Sequence, residues 1–321
     1  MFQVIVTSPA IPGDVASWLG KDVATQVLSS ATRADLEVAL KAADGLVCLL
    51  SERIDEELLS KAPKLKVIAN YAVGYDNIDV QAATRRGIVV TNTPDVLTEA
   101  TADLAFALLL ATARRIVEGD ALVRLGKWRG WAPDLLLGMD VWGQTLGIIG
   151  LGRIGQAMAR RGHGFAMPVL YTARRAASPD IEASLGATRV SLEDLLRQAD
   201  FVSLHCPLNA ETRGVIGRHE LSLMKKTAIL VNTARGRCID ENALADALES
   251  GLLAGAGLDV FAEEPTVPAR LLCSPRAVLA PHLGSATITA RSRMAEICAN
   301  ATRIVLEGGR PTNTVNPEVF G

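Results

Sequence analysis

Three titratable residues of complementary type close apolar runs in the second half of the chain. Arg235 ends AILVNTARG, Glu264 follows LDVFAEEP, and His282 ends AVLAPHLGS. The set suits reduction of a carbonyl that sits beside a carboxylate. A planar guanidinium holds the carboxylate and polarises the carbonyl with fixed donors. An imidazole, a group that titrates near neutrality, delivers the proton that must reach the oxygen as hydride reaches the carbon. A carboxylate behind the ring orients it and offsets its charge. Glu264 fits that place, and its neighbour Glu263 is expected only to meet solvent. Asp259, inside an apolar strand, is open to two readings: catalysis, or the capping of a buried loop. His205 could line a ligand cleft, whereas His163 and His219 read as surface or helix-end groups.

The hydride needs a carrier, and GIIGLGRIGQAMAR points to a dinucleotide. Gly150, Gly152 and Gly155 stand in GxGxxG spacing after an apolar run and at the start of a helical pattern. The first glycine permits a tight turn, the second lets backbone approach a pyrophosphate, and the third lets helix and strand pack closely. The helix N-terminus then faces the phosphates with open N–H groups. An acid at the end of the second strand would bind the ribose hydroxyls of NAD. That strand reads VLYTARR, with Ala173 at the diagnostic place and Arg174 and Arg175 next. Two guanidiniums suit a 2′-phosphate, so NADPH is expected over NADH. The alternative is an ordinary solvated surface pair.

These residues need elements to present them. TLGIIG, PVLYTA, DFVSLHCP, AILVNTARG, LAGAGLDVF and AVLAPH read as strands, with helices starting near Arg153, Leu192, Glu220 and Glu241. Continuous apolar strands alternating with helices describe a parallel sheet covered on both faces. An earlier series, VIVTS, GLVCLL, LKVIAN and GIVVTN, has the same texture. Between the two lies an Ala- and Leu-rich stretch, expected as one long helix from Thr98 to Leu125. A looser segment with Trp128, Trp131 and Trp142 follows it. A last helix, Ser285 to Leu306, leads into GGRPTNTVNP, a weak strand or tail. The fold class is therefore α/β with two doubly wound parallel-sheet domains. A Rossmann-type nucleotide-binding domain, residues 99–287, is inserted into a flavodoxin-like substrate domain of residues 1–98 and 288–321.

Composition removes other classes. The chain has 321 residues, 33 Lys plus Arg against 35 Asp plus Glu, and a formal net charge of -2. That balance leaves no basic footprint for nucleic acid and no polybasic arm for a membrane. The apolar stretch around Ala102 is too short to span a bilayer and contains Asp103. The first residues lack a basic n-region, so no signal peptide is expected. The 5 cysteines form no CxxC pair, which suits reduced thiols and a cytoplasmic protein. The 4 histidines show no HxxxH spacing, so no metal is expected, and the absence of GxSxG disfavours a serine hydrolase.

With these motifs in order, essentially the whole chain resembles the D-isomer-specific 2-hydroxyacid dehydrogenases. VGYDNID, GLGRIGQAMARR, LVNTARG, AGLDVFAEEP and APHLGSAT carry the likeness. GKWRGWAPDLLLGMDVWGQTLGIIG and HLGSAT are most similar to the glyoxylate/hydroxypyruvate reductase subgroup. The resemblance implies reduction of small 2-keto acids, glyoxylate and hydroxypyruvate, to glycolate and D-glycerate. It implies Arg235, Glu264 and His282 as catalytic. It implies that backbone N–H groups of Val73 and Gly74 hold the substrate carboxylate, with Ser285 and Trp131 also on substrate and Trp131 reaching a partner subunit in a homodimer. For the cofactor it implies Gly150, Gly152, Arg153, Ile154, Gly155, Arg174, Arg175, Pro207, Thr212, Thr233, Ala234, Arg235, Asp259, His282 and Gly284. Val73 stands where phosphite dehydrogenases carry Lys, so that activity ranks low. A second class stays open, a non-catalytic NAD(P)-sensing regulatory protein on the same fold. A sensor would not need all three of Arg235, Glu264 and His282.

Overall fold

Short runs of branched and aliphatic residues in this chain are buried on both faces, as parallel strands under two helical layers must be. The computed structural model describes residues 1–321 and divides into two compact units, residues 1–97 with 286–321, and residues 98–285. The first unit alternates β1 (Phe2–Val6), α1 (Val15–Leu19), β2 (Val23–Val27), α2 (Arg33–Ala39), β3 (Gly45–Cys48), α3 (Glu56–Ser60), β4 (Val67–Asn70), α4 (Val80–Arg85) and β5 (Val89–Thr91). Its sheet runs β2-β1-β3-β4-β5, parallel throughout, which is the flavodoxin-like order.

The second unit begins with α5 (Thr98–Ala113) and α6 (Ile116–Arg124). It continues through β6 (Leu146–Ile149), α7 (Arg153–Gly164), β7 (Val169–Thr172), α8 (Pro179–Leu185), β8 (Ala187–Arg189) and α9 (Leu192–Gln198). Then come β9 (Phe201–Leu204), α10 (Arg218–Leu223), β10 (Ile229–Asn232), α11 (Glu241–Ser250), β11 (Gly255–Leu258), α12 (Ala269–Leu272) and β12 (Ala277–Leu279). The sheet order is β12-β11-β10-β9-β6-β7-β8. Strand order reverses between β6 and β9, the switch point where such sheets bind ligands. α5 lies against this sheet because β11 is nearly bare. A Cβ at Gly255 would come within 2.6 Å of Thr112, and one at Gly257 within 2.9 Å of Leu108. α13 (Ile288–Leu306) returns the chain to the first unit.

Several expectations change. The single helix over Thr98–Leu125 is two. Arg115 sits at φ 52, in the left-handed region, and its guanidinium grips Glu118 at 2.7 and 2.9 Å at the start of α6. The physical reason is a change of surroundings. α5 buries Ala105, Phe106, Leu108 and Leu109, whereas α6 buries no residue. β2 and β8 were not foreseen because edge strands need no continuous apolar run: VATQV and ATR are mostly exposed. α13 starts three residues later than expected, at Ile288, where the Thr287 side chain accepts the Ala290 N–H at 3.1 Å. The following tail contributes one isolated antiparallel bridge, Thr314 to Thr91. No helix is long and apolar enough to cross a membrane.

Candidate active site

The glycine loop is built by close approach. Gly150 has φ 97, and a Cβ there would sit 2.8 Å from the backbone nitrogen of Cys206, just past β9. A Cβ at Gly155 would meet the Gly150 carbonyl oxygen at 2.2 Å, so α7 seats on the loop only with glycine. At Gly152 a Cβ would meet nothing within 4 Å, so the space before the loop is open. Gly152 caps α7 without a side-chain bond. The first-turn N–H groups, with Arg153 and Ile154, therefore face outward as an anion site. Elsewhere at the strand ends, the buried Thr233 hydroxyl has no partner. Thr212 donates to the Pro207 carbonyl at 2.5 Å, fixing the turn after β9. Open amides, a buried hydroxyl and bare glycine fit the phosphates and hydroxyls of a nicotinamide dinucleotide.

At the end of β7, Ala173 is half-buried and Arg174 and Arg175 are exposed. The unforeseen strand β8 adds Arg189, which donates to the Ala173 carbonyl at 2.9 Å and to that of Arg174 at 3.5 Å. The Arg189 guanidinium thus rests on the turn that carries Arg174 and Arg175. The signal available in the sequence was Arg189 itself, hidden because ATR does not read as a strand.

Arg235 and Glu264 are placed by two neighbouring loops. Asn232, at the end of β10, accepts the Ala234 N–H at 3.0 Å and donates to the Arg235 carbonyl at 2.9 Å. This brace was missed, although an asparagine closing a strand before TARG was visible. A Cβ at Gly236 would overlap the Phe261 carbonyl carbon at 1.9 Å. The Arg235 turn and the Phe261–Glu264 loop therefore touch only because glycine stands there. Glu263 faces solvent, where Arg237 pairs with it at 2.7 Å on the surface.

Glu264 turns the other way. One carboxylate oxygen accepts the Phe261 N–H at 3.0 Å, and the other lies 2.7 Å from His282 Nδ1. A carboxylate can only accept, so Nδ1 donates and Nε2 is left for chemistry. Burial alone would raise the Glu264 carboxyl. The His282 and Phe261 bonds and the nearby Arg235 charge outweigh burial and hold it below the ordinary glutamate range.

His282 sits at φ 55, a strained conformation for a residue with a side chain. Asp259 holds it there. The Asp259 carbonyl accepts the His282 N–H at 2.9 Å, and its carboxylate oxygens accept the N–H groups of Leu283 and Gly284 at 2.6 and 2.8 Å. Thr101 on α5 donates to the Gly284 carbonyl at 3.1 Å. Asp259 is fully buried, and both carboxylate oxygens accept N–H groups of this loop, the geometry of a buried loop cap. Burial, only partly offset by those N–H bonds, leaves its carboxyl above the ordinary aspartate range. Ser285 follows on the same loop, half-buried. His205 lies beside the glycine loop with Nε2 2.9 Å from the Ser203 hydroxyl. Burial pushes its pKa down to about 3, so the ring is neutral at physiological pH and keeps a single N–H.

Val73 and Gly74 lie in the first unit, in the loop after β4, and their N–H groups have no acceptor within the chain. Beyond α6, Trp128, Trp131 and Trp142 are 54%, 84% and 69% exposed, with Leu125 and Leu137 beside them in sequence at 66% and 68%. No group of three or more His, Cys, Asp or Glu side chains is gathered as a metal site.

Comparison with known proteins agrees with this geometry. Residues 106–284 match the model of the D-isomer specific 2-hydroxyacid dehydrogenase NAD binding domain. A glyoxylate reductase of Thermococcus litoralis is 56% identical over 281 residues, covering 86% of this chain and 85% of its own. The crystal structure of the TT0316 protein from Thermus thermophilus superposes with a TM-score of 0.91 at 48% identity, covering 98% of this chain and 100% of that one. An NADPH-dependent glyoxylate/hydroxypyruvate reductase of Sinorhizobium meliloti, solved with NADP and malonate, gives 0.85 at 33% identity, covering 98% and 96%. A glycine loop at the switch point, an Arg–Glu–His set on adjoining loops and relatives this close over most of their length make the chain a member of the D-isomer specific 2-hydroxyacid dehydrogenase family.

Proposed function

We propose that the protein reduces glyoxylate and hydroxypyruvate to glycolate and D-glycerate, with NADPH preferred over NADH. The observation that carries this reading is the His282–Glu264 pair at 2.7 Å, on a loop that Asp259 clamps. A cofactor sensor has no use for an oriented proton donor. A nicotinamide dinucleotide held at the Gly150, Gly152 and Gly155 loop would supply the hydride that the carbonyl carbon accepts. The Val73 and Gly74 amides would receive the substrate carboxylate, and the role of the Arg235 guanidinium would be to bind substrate and polarise its carbonyl. His282 Nε2 passes its proton to the carbonyl oxygen, and Glu264 balances the charge of the ring. Ser285 and Gly284 border the same loop, and Ala234 sits in the turn that carries Arg235. Arg174 and Arg175 would bind the 2′-phosphate, supported by the lack of an acid at Ala173 and by Arg189 behind them.

We further propose a homodimer through α6 and the tryptophan-bearing segment. A run of exposed Ile116, Val117, Val123 and Leu125 with three tryptophans is more apolar than a free surface sustains, and Trp131 would reach the partner's site. The free thiols, four of them buried, suit a reducing compartment, and we place the protein in the cytoplasm. The test is cofactor consumption over a panel of glyoxylate, hydroxypyruvate, pyruvate and 2-ketogluconate. Turnover of the first two is expected. Cofactor binding without turnover of any would overturn the reading in favour of a sensor.

A further inference from the structure

A trans peptide points its C=O and N–H in opposite directions, so a donor that grips the oxygen also aims the hydrogen. In the loop after β4, three consecutive peptides are gripped in this way. The Thr93 N–H donates to the Ala72 oxygen at 2.9 Å, which fixes the plane that carries the Val73 N–H. The Asn92 side-chain amide donates to the Val73 oxygen at 2.8 Å, which fixes the Gly74 N–H. The Asn70 side-chain amide donates to the Gly74 oxygen at 2.7 Å, which fixes the peptide that follows.

The grips are themselves held. Asn70 is fully buried at the end of β4, and its side-chain oxygen accepts from Asn77 at 3.3 Å. Asn77 in turn donates to the carbonyls of Leu49 and Glu52 at 3.2 and 3.1 Å. Asn92 follows β5, and its own carbonyl accepts the Asn313 side-chain amide at 2.5 Å. Because carbonyls accept, each asparagine must present its NH₂ to the loop, and its orientation follows from the bond.

We propose that Asn92, with Thr93 and Asn70, is a positioning residue that aims and polarises the amides receiving the substrate carboxylate. A hydrogen bond accepted at one end of a peptide strengthens the donor at the other, so Asn92 acts on the Gly74 N–H in particular. The inference rests on the proposed role of Val73 and Gly74. It adds that this role is set by the Asn92 and Asn70 side chains and the Thr93 N–H, groups that need not touch the substrate.

The test uses the full chain with Asn92→Asp and Asn92→Ala. Asp replaces the donor with an acceptor facing a carbonyl, and Ala leaves the place to water. KM for glyoxylate should rise by about tenfold or more in Asp and by less in Ala, since a displacement near 1 Å is worth about a hundredfold. kcat should change less, and the Kd of NADPH should stay within about twofold. Amide spectra of ¹⁵N-labelled protein give a second readout. The Gly74 N–H should move upfield in both variants, by more than Val73, whose peptide is held by Thr93. An unchanged KM in both variants, or a Val73 shift larger than that of Gly74, overturns the proposal. Arg235→Ala separates the two levels. A raised KM there with normal Asn92 variants defeats the inference alone, whereas an unchanged KM there defeats the substrate-site reading beneath it.

Discussion

Asp259→Asn should damage the reaction although Asp259 is fully buried. The carboxylate accepts two N–H groups, at 2.6 and 2.8 Å, and hydrogen bonds to charged groups are worth about 1.5–3 kcal/mol each. Asparagine keeps one acceptor and turns an NH₂ toward the other N–H. One bond is lost and one buried donor is left unpaired, a loss of about 2–4 kcal/mol. The same loop holds His282 at φ 55, a conformation that costs about 1–3 kcal/mol and persists only while its surroundings enforce it. With the clamp weakened, the backbone relaxes and the imidazole moves. A shift of about 1 Å lowers the rate by about a hundredfold. kcat for glyoxylate at saturating NADPH should therefore fall by about that factor. The melting temperature should fall by about 5–15 °C, at about 2–4 °C per kcal/mol for a domain of this size. Steady-state kinetics beside a circular-dichroism melt reads both. A variant that kept kcat within about twofold would refute the clamp.

Cofactor choice should follow the β7 turn: Arg174→Ala with Arg175→Ala should lower the NADPH-to-NADH ratio of kcat/KM by about tenfold or more, a change of about 1.4 kcal/mol, and equal use of both cofactors by the unmodified chain would sink the idea. Glu264 is held below its ordinary range, so its pairing with His282 contributes stability in full above the unfolded value near 4.5 and loses it as pH falls through the lower folded value. The stability gap between the wild type and Glu264→Gln, read by denaturant titration, should be open at pH 7 and close below about pH 4.5, and a pH-independent gap would contradict the pairing. The apolar run over α6 predicts a dimer mass by light scattering and a raised glyoxylate KM in Trp131→Ala, and a monomer at all concentrations would count against both.

What the sequence made legible follows its strongest physical constraints. Strands buried on both faces must read as apolar runs, and the glycine loop must keep glycines where a Cβ would strike backbone, so β6, α7 and Gly150 were visible in advance. Arg235, Glu264 and His282 stood out because titratable side chains at strand ends are rare in apolar surroundings. What stayed hidden depended on tertiary placement. Nothing local separates Glu263 from Glu264, and only the fold sends one to Arg237 and the other to His282. Asn232 and Asn92 act by reaching backbone a few residues or a whole strand away, so spacing does not expose them. β8 and Arg189 were hidden because an edge strand needs no apolar pattern. The break between α5 and α6 was hidden because composition does not report which half of an apolar stretch meets the sheet.

The measurement that tests the central claim most directly is NADPH consumption on adding glyoxylate to the wild type and to His282→Gln, with NADPH affinity measured on both. The account predicts turnover by the wild type, a kcat lower by about 100- to 10,000-fold in the variant, and nearly equal cofactor affinity. Near-normal turnover by His282→Gln at saturating glyoxylate would contradict it.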